Sequence, residues 1–256
     1  MGALLTRSTG GGYVATASLG CLQYFYDLAK DLNSSGIDTA LVALEYSCAP
    51  ATVYPTQLKQ AISLVRHLIE VDGWDPSKIT IGGDSAGGNL TLAVLSHIAH
   101  PHPDVEPLKL SKPFHAAFLI SPWVSFRYNA PSMQSNAESD AFTGDTLKKW
   151  SDAFLSDLSN SSEYSEPATA PASWWSKLSQ VVSEVLIWGG GGEILIDGIK
   201  EWANTFEEGY GGAGGKVTTI ITPKAAHDDP IIDVVLGYKT KGEGAQAVES
   251  WIKAKL

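Results

Sequence analysis

Compact apolar runs alternate with amphipathic stretches along most of this chain. The runs at residues 40–44, 78–81, 116–120, 185–188 and 217–221 are aliphatic and β-branched, with few charges inside them. That pattern predicts strands buried on both faces, since a half-exposed strand would alternate strictly with polar positions. Between them, apolar residues recur at helical spacing over 22–32, 56–69, 89–97, 194–207 and 245–255. Such alternation predicts the α/β class, with a mostly parallel central sheet flanked by helices. No internal repeat is evident, and the 256 residues make one domain with a large core.

One segment breaks the rhythm. Residues 124–175 turn polar and rich in Ser, Asn, Glu and Pro around a predicted helix at 145–155. A stretch of this length between two strands is too long for a plain connection, and the reading is a small cap or lid insertion. The aromatics at its two ends, Trp123, Phe126, Trp174 and Trp175, favour a cap over an apolar substrate. Tyr13, Trp123, Trp174 and Trp175 are therefore expected to line the substrate site.

Chemistry enters at Gly83-Asp84-Ser85-Ala86-Gly87, a G-x-S-x-G motif between an apolar run and a helical pattern. A serine at a sharp strand-to-helix turn sits on strained backbone. The positions two before and two after it approach too closely for side chains, which explains both glycines. The helix that follows aims free amides and its positive end at a developing oxyanion. Ser85 is the expected nucleophile.

A serine hydroxyl needs a neighbouring base. His67 and His97 fall in helical patterns, His100 and His102 in a Pro-rich linker, and His115 at a strand start, all places of structural histidines. His227 instead follows the last predicted strand, in a loop that can swing toward the turn. The orienting carboxylate should follow the penultimate strand, where Glu193 and Asp197 both occur. Glu193 is preferred because it leaves the strand end, whereas Asp197, one helical turn on, suits bracing a helix. Asp228 and Asp229 adjoin the base in sequence, a placement that seldom suits the imidazole's far nitrogen. Gly10-Gly11-Gly12-Tyr13, after the short apolar run 3–5, suits a loop whose amides face a substrate. Gly11 and Gly12, with the amide of Ala86, are the expected oxyanion donors.

Charge and the remaining motifs mostly exclude. A net charge of −10 argues against nucleic acid and against a basic patch on an anionic membrane. No apolar run reaches the roughly 20 residues of a membrane span, and residues 1–6 lack the parts of a signal peptide. The expectation is a cytoplasmic protein without stable membrane insertion. Two cysteines, Cys21 and Cys48, carry no disulfide framework and read as reduced thiols. Gly209 to Gly214 spells G-x-G-x-x-G, but after a helix and before a strand, the reverse of a dinucleotide site. The glycines 189–192 lack the Lys-Ser/Thr of a phosphate loop. No cofactor and no metal are expected.

The block from Gly82 to Asn89, the upstream Tyr46, Ala49-Pro50 and Tyr54-Pro55, and Gly10 to Tyr13 resemble hormone-sensitive-lipase-like α/β-hydrolases. Similarity is closest to fungal carboxylesterases of the steryl acetyl hydrolase kind. Supporting stretches are Ser121-Pro-Trp-Val-Ser125, Tyr164-Ser-Glu-Pro167 with Ala170-Pro-Ala-Ser-Trp-Trp175, and Ala226-His-Asp-Asp-Pro230. The resemblance implies hydrolysis of short acyl esters, often acetyl groups on apolar alcohols, with Ser85, Glu193 and His227 as triad. Two departures stand out. Thr9 takes the place of the family's loop-bracing histidine. The chain also starts almost at this motif, so the fold is expected to be N-terminally shortened, with an unpaired sheet edge on which a homodimer could form.

The expected activity is a serine carboxylesterase acting on a small apolar ester through an acyl-enzyme. Two alternatives are an acyltransferase or cyclase using the same site, and a non-catalytic binding protein on a shortened hydrolase scaffold.

Overall fold

A computed structural model describes residues 3–8, 11–16 and 19–256, with the backbone alone for 3–8. Thr9 and Gly10 lie outside the described residues. In chain order the elements are β1 (Ala3–Ser8), α1 (Leu19–Ser34), β2 (Thr39–Leu44), α2 (Thr56–Glu70), β3 (Ile79–Asp84), α3 (Ala86–Ala99) and β4 (Ala116–Ile120). Three helices, α4 (Ser132–Ser135), α5 (Gly144–Leu155) and α6 (Ala172–Trp175), fall in the long insertion. The chain closes with β5 (Glu184–Gly190), α7 (Ile196–Phe206), β6 (Lys216–Thr222), α8 (Asp229–Val235) and α9 (Glu243–Lys255).

All pairings in the sheet are parallel, and the strand order is β2-β1-β3-β4-β5-β6. Every predicted strand is present, most of them a residue or two longer than their apolar runs. The short run at 3–5 grows into β1, which lies between β2 and β3. Among the described residues the sheet edges are therefore β2 and β6.

Strand periodicity divides the core between two layers. In β4, Ala117 and Leu119 face a cluster with Leu90, Val94 and Ile199, while Phe118 and Ile120 face one with Phe25, Leu28 and Ile252. In β5, Val185 and Ile187 join the first cluster, and Leu186 and Trp188 the second. Helices α2, α3 and α7 thus cover one face, and α1 and α9 the other. Fully burying each such side chain contributes about 1.5–3 kcal/mol, so both faces need cover. Helix α3 is buried almost throughout, and nothing in its spacing marks a solvent face. Helix α8, absent from the sequence reading, forms seven residues directly after His227. The 209–214 glycines lie where expected: a π-turn at Glu207–Gly211 ends α7 and leads into β6.

Candidate active site

Strand β3 delivers the chain to Ser85, and α3 starts at the next residue. Ser85 adopts φ 52° and ψ −118°, backbone that an L residue occupies only when its surroundings hold it there. A Cβ on Gly83 would overlap the Gly87 carbonyl, so the flanking glycines answer a contact between two stretches of main chain. The Ser85 amide donates to the Ile120 carbonyl at 2.9 Å, and the Trp123 amide donates to the Ser85 carbonyl at 3.1 Å. The turn is therefore fastened on both sides to the segment leaving β4.

That segment also reaches the acid and the base. Glu193, just past β5, and His227, in the loop after β6, are both buried. The His227 Nδ1 lies 2.7 Å from Glu193 Oε2. Glu193 Oε1 accepts from the Gly190 amide at 2.7 Å and from the Ser121 hydroxyl at 3.0 Å. Ser121, one residue beyond the Ile120 carbonyl that holds Ser85, also accepts from the Asp228 amide at 3.1 Å. One buried serine thus links the turn, the acid loop and the base loop. Asp197 is elsewhere: its carboxylate accepts from the Ser132 amide at 2.8 Å and braces the insertion.

Charge is concentrated on the imidazole. Burial alone would lower its basicity, but the carboxylates of Asp228, Glu193 and Asp140 outweigh that and push His227 up to about 10. Burial raises Glu193 as well. A proton shared between them rests on the imidazole, because Glu193 already accepts two other hydrogen bonds and a carboxylate so served favours its charged form. Asp228 Oδ2 stands 3.3 Å from Nε2, the nitrogen that does not face Glu193. Asp228 thus does not reach Nδ1, the nitrogen remote from the serine and held by Glu193; it lies against the other one. With φ 53° its backbone folds the short side chain back over its neighbour.

The insertion clamps this machinery. Asp140 accepts from the His227 amide at 3.3 Å and the Ile194 amide at 2.6 Å. Asn136 donates to the Glu193 carbonyl at 2.9 Å, and Ser139 to the Gly192 carbonyl at 2.8 Å. Phe142 stands edge-on to the His227 ring at 5.7 Å and packs on Trp150 at 5.0 Å. A Cβ on Gly12 would overlap the Trp150 indole. These two half-buried aromatics therefore run from the imidazole to the glycine loop.

In that loop Gly11, Gly12 and Tyr13 have φ of 110°, 59° and 64°, a conformation the first two adopt without a Cβ penalty. The Tyr13 hydroxyl donates to Asn89 Oδ1 at 2.6 Å, and its ring stacks on Phe154 at 3.8 Å. Asn89 in turn donates to the Trp123 carbonyl at 2.7 Å and the Ser165 carbonyl at 2.9 Å. Asn89 and Tyr13 so lock the loop to α3 and to the insertion. Ala86, the first residue of α3, is wholly buried beside Ser85.

The aromatics expected to line a substrate surface are placed differently. Tyr13, Trp123 and Trp175 are completely buried, Trp123 against Phe126 and Trp175 against Trp202 and Phe206. Trp174 stacks on His100 at 4.0 Å and donates to Ser96 at 3.2 Å. Large rings at the ends of the insertion fill the seam where it meets α3 and α7, where they lose the most water. The aromatics beside the imidazole and the glycine loop are instead Phe142 and Trp150, whose only sequence signal is their place around the predicted 145–155 helix.

Of the other histidines, His67 is exposed on α2 beside Asp72, and three make structural contacts. His97 accepts from the His102 amide, His100 contacts the Trp174 carbonyl, and His115 the Lys255 carbonyl. Cys21 and Cys48 are free thiols. Among the described residues there is no cluster of three or more His, Cys, Asp or Glu placed to hold a metal. No helix among them is long and apolar enough to cross a membrane.

Known proteins resemble this chain throughout its length. The crystal structure of a hormone-sensitive lipase from a metagenome library superposes with TM-score 0.75 at 25% identity, over 99% of this chain and 76% of that one. An esterase from the bacterial hormone-sensitive lipase family gives TM-score 0.75 at 23% identity, with the same coverage of both chains. Arylacetamide deacetylase of Rattus norvegicus is 32% identical over 155 residues, 58% of this chain and 37% of that protein. Neutral cholesterol ester hydrolase 1 of the same species is 28% identical over 134 residues, 50% of this chain and 30% of that protein. The matches thus span about a third of the length of these curated relatives. A family model described as alpha/beta hydrolase fold matches residues 9–229. With this sheet, this turn and that match, the chain belongs to the α/β-hydrolase fold family and is hormone-sensitive-lipase-like within it.

Proposed function

We propose that this protein is a serine carboxylesterase that removes a short acyl group from an apolar alcohol. The observation that carries the reading is the single hydrogen-bonded assembly around Ser121, which joins the Ser85 turn to the Glu193–His227 pair. Ser85 attacks the ester carbonyl while neutral His227 takes its proton at Nε2. Glu193 holds the ring by Nδ1 and stabilises the imidazolium that forms. The amides of Gly11, Gly12 and Ala86 are the donors for the oxyanion. The imidazolium then protonates the leaving alcohol, and water, activated by the same nitrogen, releases the acid from Ser85.

Residues 124–175 act as a cap in this reading, with Phe142 and Trp150 as the apolar wall for the substrate. The relatives' names, an arylacetamide deacetylase and a cholesterol ester hydrolase, favour a small acyl group on a bulky apolar partner. Hydrolysis of short-chain p-nitrophenyl esters tests the proposal. Wild type should turn them over, and Ser85→Ala should lose about 10³-fold or more in kcat/KM. Equal, slow rates for both proteins would reject it.

A further inference from the structure

Asp228 occupies the helix N-cap of α8, where an aspartate ordinarily accepts from the second or third amide of its own helix. Here its side chain makes no such bond. The backbone is anchored without it: the Asp228 carbonyl accepts from the Ile231 and Ile232 amides at 2.8 and 2.9 Å, and its amide donates to Ser121. The carboxylate is turned instead onto His227 Nε2, at 3.3 Å, with both side chains at most 10% exposed. In the catalytic reading above, Nε2 is the atom that must take the proton of Ser85.

Resting on that reading, we propose that Asp228 is a positioning residue that latches His227 as an imidazolium and withholds the base until its Nε2 proton is lost. In the latched state Nδ1–H is donated to Glu193, and the protonated Nε2 edge is held in ion-pair contact with the Asp228 carboxylate. Ser85 has no acceptor, because no lone pair remains on the ring. Loss of the Nε2 proton to hydroxide yields water and a neutral imidazole whose lone pair faces the Asp228 carboxylate. Two acceptors now oppose each other, so the carboxylate withdraws and Nε2 becomes available to Ser85. The groups facing the ring agree in sign. Glu193 comes from the acid loop, Asp140 from the insertion and Asp228 from the base loop, and each favours the cation. Phe142 adds an uncharged edge, and Asp229 lies beside Asp233. Of the three carboxylates, Asp228 alone lies against Nε2.

The test is the pH dependence of kcat/KM for a p-nitrophenyl ester, with the rate of Ser85 labelling by a fluorophosphonate measured in parallel. Wild type and Asp228→Asn are compared; asparagine keeps the size of the side chain and tolerates the left-handed backbone. Wild-type activity should still be rising at alkaline pH, and Asp228→Asn should move that rise to lower pH by at least about one unit. On such a limb one unit is about tenfold, so the variant would be the faster protein at neutral pH. A wild-type limb at an ordinary histidine position overturns the latch, without recourse to the variant. Superimposable profiles overturn it too, as does a variant uniformly slower at every pH. Absence of labelling in both proteins at all pH values instead removes the esterase reading itself, and the latch with it.

Discussion

Replacing Ser121 by alanine isolates the junction on which the site depends. Ser121 is completely buried and has φ 42°, and alanine bears that backbone no worse than serine, so the change removes only the hydroxyl. Two hydrogen bonds go with it: the 3.0 Å bond to Glu193 Oε1 and the 3.1 Å bond from the Asp228 amide. A bond to a charged group is worth about 1.5–3 kcal/mol, and an orphaned buried amide costs about 1–3 kcal/mol. A water entering the vacated space recovers part of this, and the expected loss of stability is about 2–4 kcal/mol. The catalytic cost follows from Glu193, which keeps the Gly190 amide and His227 but loses one of three donors. A weaker hold on the carboxylate weakens its support of the imidazolium, for about 10–100-fold in kcat, or about 1.4–2.8 kcal/mol. KM should stay near wild type, since Ser121 does not face the substrate. Urea unfolding and steady-state kinetics on a p-nitrophenyl ester measure both. Stability within about 0.5 kcal/mol of wild type together with an unchanged kcat would show that the site does not depend on this bridge.

Two further substitutions probe the glycine loop. Asn89→Ala removes three buried bonds and orphans the Tyr13 hydroxyl with two carbonyls, so unfolding in urea should reveal a loss of about 3–5 kcal/mol. Gly12→Ala places a Cβ into the Trp150 indole on left-handed backbone. Displacing α5 from the loop should cut kcat/KM by about 100-fold or more, for a stability loss of only about 1–3 kcal/mol. Kinetics and unfolding on the same preparation separate the two effects.

The strands were legible because a doubly covered sheet demands continuous apolar runs, and 116–120 matches β4 to the residue. The 145–155 helix was equally plain, starting one residue early behind the cap of Thr143. The Ser85 turn was legible for a different reason: backbone crowding leaves glycine no substitute, and glycine is visible in a sequence. Helix α8 escaped because its seven residues are too few for a periodic signal, and a proline opens it. The cap aromatics were misplaced because sequence spacing cannot tell a ring at an insertion's seam from one facing its cavity. Ser121, Asp140 and Asn89 act through tertiary hydrogen bonds across 34 to 107 residues of chain; no local pattern reports such a partnership. Glu193 rather than Asp228 holds Nδ1, as adjacency to His227 suggests, but the contact of Asp228 with Nε2 depends on a left-handed φ that no sequence pattern reports.

The most direct measurement is the site and extent of covalent modification by a fluorophosphonate on the folded protein, read by mass spectrometry of the digested adduct. The account predicts one equivalent of label on the peptide that carries Ser85, and none on Ser85→Ala or on denatured wild type. Label on another serine, or folded protein that takes up no label at any pH, would contradict it.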